Sequence, residues 1–490
     1  MSVSSGKLNP LDARHASASK KGGVACRTES DSLGDVDIPA DALYGAQTQR
    51  ALENFQISGL KMPRTFIRAL GLIKAACARV NGKLQLLPDD RATAISEAAM
   101  AVAAGDYDAH FPVDVFQTGS GTSSHMNANE VIAHLAEQQL QAPVHANDHV
   151  NLGQSSNDII PSAIHLSALL QLEEELLPAL SQLVDVIATR AQSETRQLKT
   201  ARTHLMDAVP MTLGQELSGW QALLERDIEC LNQALYTLRE LPVGATAVGT
   251  GLNAHPQFAA RVCVELSALT GHTLLPSTNP FAALSVPDAL IQVHGQLKIL
   301  AVNLMKICND LRWMNSGPLC GLAEIRLPAL QPGSSIMPGK VNPVIPEAVA
   351  QVCAQVMGND TTLTVAAQSG QFQLNVMLPV IAHNTLQSLA LLTGSCEHLA
   401  SKALKNFKVN RERLQQQLAK NPLLATALNN LVGYDKASVI AHRAATEQRD
   451  VLDIALEETN LDRSTLELYL DPQRLASPHV SIFGNSTPHR

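Results

Sequence analysis

Aromatic side chains make up only 3% of the 490 residues, with two tryptophans among them. That is too few for a stacking platform along single-stranded nucleic acid. Positive charge is short as well: 37 basic residues face 45 acidic ones, a balance of −8. The chain thus offers no general electrostatic footprint for DNA, RNA or anionic lipid, although a small anionic substrate needs only a few local cations. No segment carries 18 consecutive apolar residues, so no membrane-spanning helix is expected. The eight cysteines (Cys26, Cys77, Cys230, Cys263, Cys308, Cys320, Cys353 and Cys396) are never closer than the 12 positions between Cys308 and Cys320. This spacing excludes a CxxC pair, a zinc ribbon and a compact iron–sulfur run. Buried, reduced thiols in a cytoplasmic protein are expected. There is no HExxH and no EF-hand loop, and neither a metal nor a cofactor is expected.

What is present suits a large core. Hydrophobic residues are 45% of the chain and charged residues 17%, which fits two to four domains or one large all-α architecture. Residues 1–27 stand apart, with Lys7, Arg14, Lys20, Lys21 and Arg27 against a single acid, Asp12. They read as a disordered basic tail. A mitochondrial transit peptide is the alternative, but Val3, Leu8, Leu11 and Val24 make a poor apolar face. Residues 476–490 read as a second tail. Domain boundaries fall near 155 and 409, giving an N-terminal domain over 28–155, a central helical bundle over 156–409 and a small helical domain over 410–475.

The middle is dominated by long helical patterns. Leu213, Leu217, Trp220, Leu224, Ile228, Leu231, Leu235 and Leu238 step by threes and fours, a continuous stripe on one helix face. Leu290, Val293, Leu297, Leu300, Leu304, Ile307, Leu311 and Met314 form a second stripe. A third pattern runs over about 162–194, where Pro178 should bend or break it. Two more follow near 346–368 and 374–402, with a kink expected at Pro379. Helices of about 25–35 residues are roughly two to three times the globular mean. A single bundle of such helices exposes much apolar surface, so self-association is expected.

Polar, glycine-rich islands sit between these patterns. In Gln117–Thr122 the glycines let backbone N–H groups approach an anion, while Ser120 and Thr122 add hydroxyls; a plain turn opening a helix is the competing reading. Gly153–Asp158 precedes a helix starting near Pro161, and Ser155, Ser156 and Asn157 lie where free N–H groups would point, or form only an N-cap. His145–Asp148 is a loop that can hold a second anion or simply be a loop. Arg202–Asp207 sets His204 in a polar turn ahead of a helix beginning near Thr212, where it can titrate usefully or be structural. Gly333–Pro343 combines Ser334, Ser335, Lys340 and Asn342 with shaping prolines and glycines, and Glu347 follows. A serine there becomes basic only if nearby N–H groups and Lys340 stabilise its alkoxide. The loop can equally be a helix cap.

GSSIMPGKVNP resembles the signature loop of the fumarase/aspartase superfamily. QTGSGT, GQSSND and RTHLMDAVPMTLGQE resemble the family's other segments in order and separation, as do Asp37–Arg50 and Gly433–Ala437. The likeness covers about residues 28–475 and is greatest for the class II, iron-independent fumarate hydratases. Gly339 before Lys340, His204 where aspartases have glutamine, and Ser120 in GSGT favour that branch. The sequence departs from the family pattern at His125, Ala142, Met206 and Leu378.

The resemblance implies a mainly α, three-domain fold whose central five-helix bundles form a 20-helix core in a homotetramer, with active sites shared between three subunits. It implies reversible hydration of fumarate to L-malate in the tricarboxylic acid cycle, without metal, through an aci-carboxylate intermediate. Ser334 would be the base, His204 would act through a bound water, and Glu347 would orient and charge it. Ser120, Gly121, Thr122, Ser155, Ser156, Asn157, Thr203, Ser335, Lys340, Val341 and Asn342 would bind the dicarboxylate. His145, Ala146, Asn147 and Asp148 would form a second dicarboxylate site. Two other readings are an aspartate ammonia-lyase or another fumarate-releasing lyase of the family, and a non-catalytic binding or structural protein on the same scaffold.

Overall fold

The computed structural model describes residues 19–21 and 24–477. Helices dominate, and the long patterns are real: Leu213–Leu238, Asp288–Met314, Val344–Ala367 and Leu378–His398 are each one helix. The 27 residues of Asp288–Met314 span about 40 Å at 1.5 Å per residue. Every member of its stripe, from Leu290 to Met314, is at most 4% exposed. Leu213–Leu238 buries its stripe likewise, apart from a half-buried Ile228. Each such side chain taken out of water contributes roughly 1.5–3 kcal/mol, which is why the threes-and-fours spacing is kept so strictly.

Of three prolines in these helices, Pro178 acts as expected and Pro161 and Pro379 do not. The helix expected near Pro161 starts at Ser156, so Pro161 falls in its second turn, where only one hydrogen bond is lost. Near Pro178 the helix does break: Ser156–Gln171 passes through a π turn at Leu172–Leu176 into Leu177–Ser193. The wider turn accommodates a residue that has no N–H for the carbonyl four positions back. Pro379 makes no kink, because the helix starts at Leu378 and a first-turn N–H has no partner to lose.

The chain divides into two compact units. The first is drawn from the chain up to Leu176, Cys230–Lys298 and Gln355–Leu391. It opens on an antiparallel meander of Ser19–Lys21, Val24–Asp31 and Gly34–Pro39. The tail expected over 1–27 therefore ends earlier, since Cys26 is buried and the Arg27 guanidinium donates to the carbonyls of Pro39, Ala42 and Tyr44. The remainder of that tail, 1–18 and 22–23, lies outside the described residues, as do 478–490. Helices Arg64–Lys83 and Asp89–Ala104 pack so closely that a Cβ on Gly71 would lie 2.7 Å from backbone atoms of Ala99 and Ala103. Thr122–Leu140, Ser156–Gln171 and Phe258–Thr270 complete the layer around the nearly all-buried Arg64–Lys83.

The second unit is drawn from Leu177–Glu229, Ile299–Ala354 and the chain from Leu392. It contains a hairpin that the sequence reading missed, Leu198–Thr203 with Met206–Thr212. Short helices follow: Arg411–Ala419, Tyr434–Glu447, Val451–Glu458 and Arg463–Leu470. The last three enclose their own apolar cluster, with Leu428, Ile440, Ile454 and Leu466 wholly buried. Six of the eight cysteines are buried, Cys230 is half-buried and Cys320 is exposed, so the expectation of buried thiols fails at those two. Among the described residues no helix is long and apolar enough to cross a membrane, and no group of three or more His, Cys, Asp or Glu is placed to hold a metal ion.

Candidate active site

The first unit brings the two hydroxyl-bearing islands together. Thr122–Leu140 begins at Gly121, whose φ of 73° lies in the left-handed region that glycine adopts freely. Gly119 is forced by contact, since a Cβ there would lie 1.9 Å from the carbonyl oxygen of Val376. This tight turn sets Ser120 Oγ 2.7 Å from Thr122 Oγ1, which lies 2.7 Å from Ser156 Oγ. Ser155 caps Ser156–Gln171 in a reciprocal box with Asp158: its hydroxyl accepts from Asn157 N, and the Asp158 carboxylate accepts from Ser155 N at 2.9 Å. Asp158 also accepts from the N–H groups of Gly244 and Thr246, so this helix start is pinned to the loop opposite. Burial pushes its carboxyl up to about 6 despite these three donors. Asn157 donates its amide to the carbonyl of Ala247 at 2.8 Å. Three hydroxyls thus cluster beside two helix N-termini, an arrangement able to receive a carboxylate.

In the second unit the hairpin carries Thr203 and His204 to an exposed tip. Thr203 pairs with Met206, and the two residues between, His204 and Leu205, take φ of 54° and 61°. Two consecutive non-glycine residues in the left-handed region cost roughly 1–2 kcal/mol each, offset by what holds the hairpin in place. At its base the wholly buried Lys199 ammonium lies 2.6 Å from Glu216 and 2.7 Å from Glu324, and Arg202 meets the other Glu324 oxygen at 2.7 Å. Two cations and two carboxylates balance out of water, which a lone charge there could not do.

The loop Gly333–Pro343 closes on itself. Asn342 donates its amide to the Gly333 carbonyl at 2.7 Å, and a Cβ on Gly333 would lie 2.1 Å from the Lys340 carbonyl oxygen. Gly339 takes a φ of 83° at the turn. Ser334 Oγ accepts from the N–H groups of Met337 at 3.0 Å and Ile336 at 3.3 Å. Ser335, Lys340 and Val341 are exposed, and Glu347 stands in the first turn of Val344–Ala367. Among the described residues, neither His204, Glu347 nor Lys340 makes an ion pair, and none of them hydrogen-bonds to Ser334. The second unit therefore holds these groups on separate supports.

His145, Ala146, Asn147 and Asp148 start a short π turn, Ala146–Val150. The His145 ring accepts from Asp148 N at 3.1 Å, and the His145 backbone N–H donates to His149 Nδ1 at 2.8 Å. A cation is present, but not where the family pattern has one: Arg91, from helix Asp89–Ala104, lies 3.1 Å from His149 Nε2. Sequence reading missed Arg91, Lys199 and Glu324, which lie outside the islands and whose partners are set only in the fold. It also missed Lys74, whose only signal was one charge within the apolar run Leu72–Ala76.

A lyase family model matches residues 34–358, and a model for the fumarase C C-terminus matches 424–477. A class II fumarate hydratase of Xylella fastidiosa is 56% identical over 458 residues, 94% of this chain and 97% of that protein. Class II fumarate hydratase 2 of Pseudomonas aeruginosa is 55% identical over 92% of this chain and 98% of its own length. The crystal structure of recombinant class II fumarase from Schistosoma mansoni superposes with a TM-score of 0.90 at 39% identity, covering 93% of this chain and all of that one. Fold, segment order and identity along nearly the whole length agree, and the chain belongs to the fumarase/aspartase superfamily, in its class II fumarate hydratase branch.

Proposed function

We infer that the chain catalyses the reversible anti addition of water to fumarate, giving L-malate, as a step of the tricarboxylic acid cycle in the cytoplasm. In the dehydration direction Ser334 removes the proton from the carbon next to one carboxylate. Charge then builds on that carboxylate as an aci-carboxylate, where Lys340, Asn342 and helix N-terminal N–H groups stabilise it. His204, charged by Glu347, delivers a proton through water to the departing hydroxide. The hydroxyls of Ser120, Thr122, Ser155 and Ser156, with Asn157, Thr203, Ser335 and the backbone at Gly121 and Val341, hold the dicarboxylate. His145–Asp148 forms a second dicarboxylate site.

The observation that carries the mechanism is the hydroxyl of Ser334 receiving two backbone N–H groups in a loop that also bears Lys340. Those donors favour the alkoxide over the alcohol, as a serine base requires. His204 and Glu347 belong to one site but do not meet within the chain, which supports a site completed by other subunits. The long helices leave Ile299, Val302, Trp313 and Val365 at least 45% exposed, which supports a homotetramer with a shared helical core around three-domain protomers.

Absorbance of fumarate is to be followed with L-malate and then with L-aspartate. Malate is expected to be turned over and aspartate not appreciably, because hydroxide needs a proton in order to leave whereas ammonium leaves already protonated. His204→Asn is expected to slow malate dehydration at least ~100-fold. Faster turnover of aspartate by the unaltered protein would make it an ammonia-lyase.

A further inference from the structure

Lys74 sits mid-helix in Arg64–Lys83, among buried Leu70, Ile73 and Cys77, and is itself wholly buried. Its ammonium has three N–H bonds and meets three acceptors: His125 Nε2 at 2.8 Å, Gln154 Oε1 at 2.8 Å and Asn151 Oδ1 at 3.3 Å. All three are neutral when Nε2 of His125 carries no proton, as its role of acceptor requires. Burial first, and Lys74 second, hold His125 well below the usual histidine range. A buried ammonium met only by neutral acceptors is costly unless a negative charge lies close by. The Asp158 carboxylate acts on it from a distance, but its oxygens are engaged by the N–H groups of Ser155, Gly244 and Thr246.

The acceptors belong to the two elements that build the hydroxyl cluster. His125 lies in the first turn of Thr122–Leu140, and Gln154 immediately precedes Ser155, the cap of Ser156–Gln171. One ammonium therefore ties together the two helix starts that share the Thr122–Ser156 hydrogen bond. We propose that Lys74 is a positioning residue for the dicarboxylate site: it fixes the two helix N-termini against each other and places a positive charge behind them that strengthens binding of a substrate carboxylate. This rests on the fumarate hydratase reading of that site.

The arrangement makes binding sensitive to pH. Burial lowers the Lys74 ammonium to about 7. The titratable groups facing it are Cys77 on its own helix, His125 on Thr122–Leu140 and Asp158 on Ser156–Gln171, with Cys263 of Phe258–Thr270 behind Cys77. Burial pushes both thiols up, so they stay neutral; His125 stays neutral, and Asp158 is already ionised above about 6. Lys74 is thus the member of this cluster that changes charge as pH climbs past neutrality. A bound dianion raises its pKa, so binding takes up a proton above about 7 and weakens as pH rises further, whereas below about 7 the ammonium is charged with or without ligand.

The test uses the full-length protein, succinate as an unreactive dicarboxylate and L-malate as substrate. Calorimetry at pH ~7.5 in two buffers of different ionisation heat reads proton uptake, and the dependence of affinity and KM on pH is followed alongside. The unaltered protein is expected to take up a fraction of a proton on binding succinate. In Lys74→Met the uptake should vanish and the pH dependence should flatten, with succinate affinity and malate KM each worse by ~10-fold and kcat within about threefold. His125→Leu keeps the ammonium but removes an acceptor, and should move the loss of affinity about one pH unit lower. Unchanged affinity, uptake and pH profile in both folded variants would overturn the role of Lys74. Succinate binding with proton uptake but no malate turnover would leave that role standing and remove the hydratase reading. An unaltered protein that neither binds succinate nor turns over malate would overturn both.

Discussion

At Ser334 the hydroxyl accepts two backbone N–H groups, and those contacts belong to the loop, not to the hydroxyl's packing. Removing the oxygen leaves two exposed-loop N–H groups to water, a small cost, and takes away the group proposed as the base for the carbon proton. Ser334→Ala is therefore expected to keep its melting temperature and malate KM within about twofold while kcat falls by ~10²–10⁴, the range typical of an acid–base group. Stopped assays with purified protein beside a thermal melt would check it. Turnover near that of the unaltered protein would show that the base lies elsewhere.

The hairpin Leu198–Thr203 and Met206–Thr212 is held by charge as much as by its ladder. Glu324 is 1% exposed and faces both Lys199 and Arg202; its removal leaves Lys199 with Glu216 alone and Arg202 with no carboxylate. Breaking a buried pair in this way costs about 3–5 kcal/mol, far more than an exposed pair is worth. Glu324→Ala should lower the urea midpoint accordingly. It should also lower kcat, because the left-handed pair His204–Leu205 keeps its strained geometry only while the base of the hairpin is fixed. A variant with unchanged stability would show that Glu216 alone suffices for Lys199.

At the scale of the whole molecule, each chain carries Ser334, His204 and Glu347 without joining them. If the site is completed between subunits, two inactive variants should rescue each other. Co-expressed Ser334→Ala and His204→Asn chains are expected to form mixed tetramers in which about a quarter of the sites combine an intact serine with an intact histidine. Each variant alone should be nearly inactive, and light scattering should give a tetramer at micromolar concentration. Activity in the mixture no higher than in either variant would place both residues on one chain.

The long helices were legible in the sequence because burial on one face imposes a local rule, the threes-and-fours spacing seen at Leu290–Met314, which needs no knowledge of the partner. The islands were legible because glycine is required wherever backbone approaches backbone, as at Gly119 and Gly333. The hairpin around His204 was missed, since its apolar alternation is weak and its turn residues, His204 and Leu205, are not those that favour a left-handed turn. The π turn before Pro178 and the quiet first turn at Pro379 depended on helix boundaries that sequence places only within a few residues. Sequence by itself determined the fold class, the long helices and the glycine-rich turns between them. Only tertiary structure decided which charges support them. Lys74 reaches His125 and Gln154, and Glu324 reaches Lys199 and Arg202, across 51 to 125 residues of chain. A buried charge finds its partner in space, and no local pattern of residues records that choice.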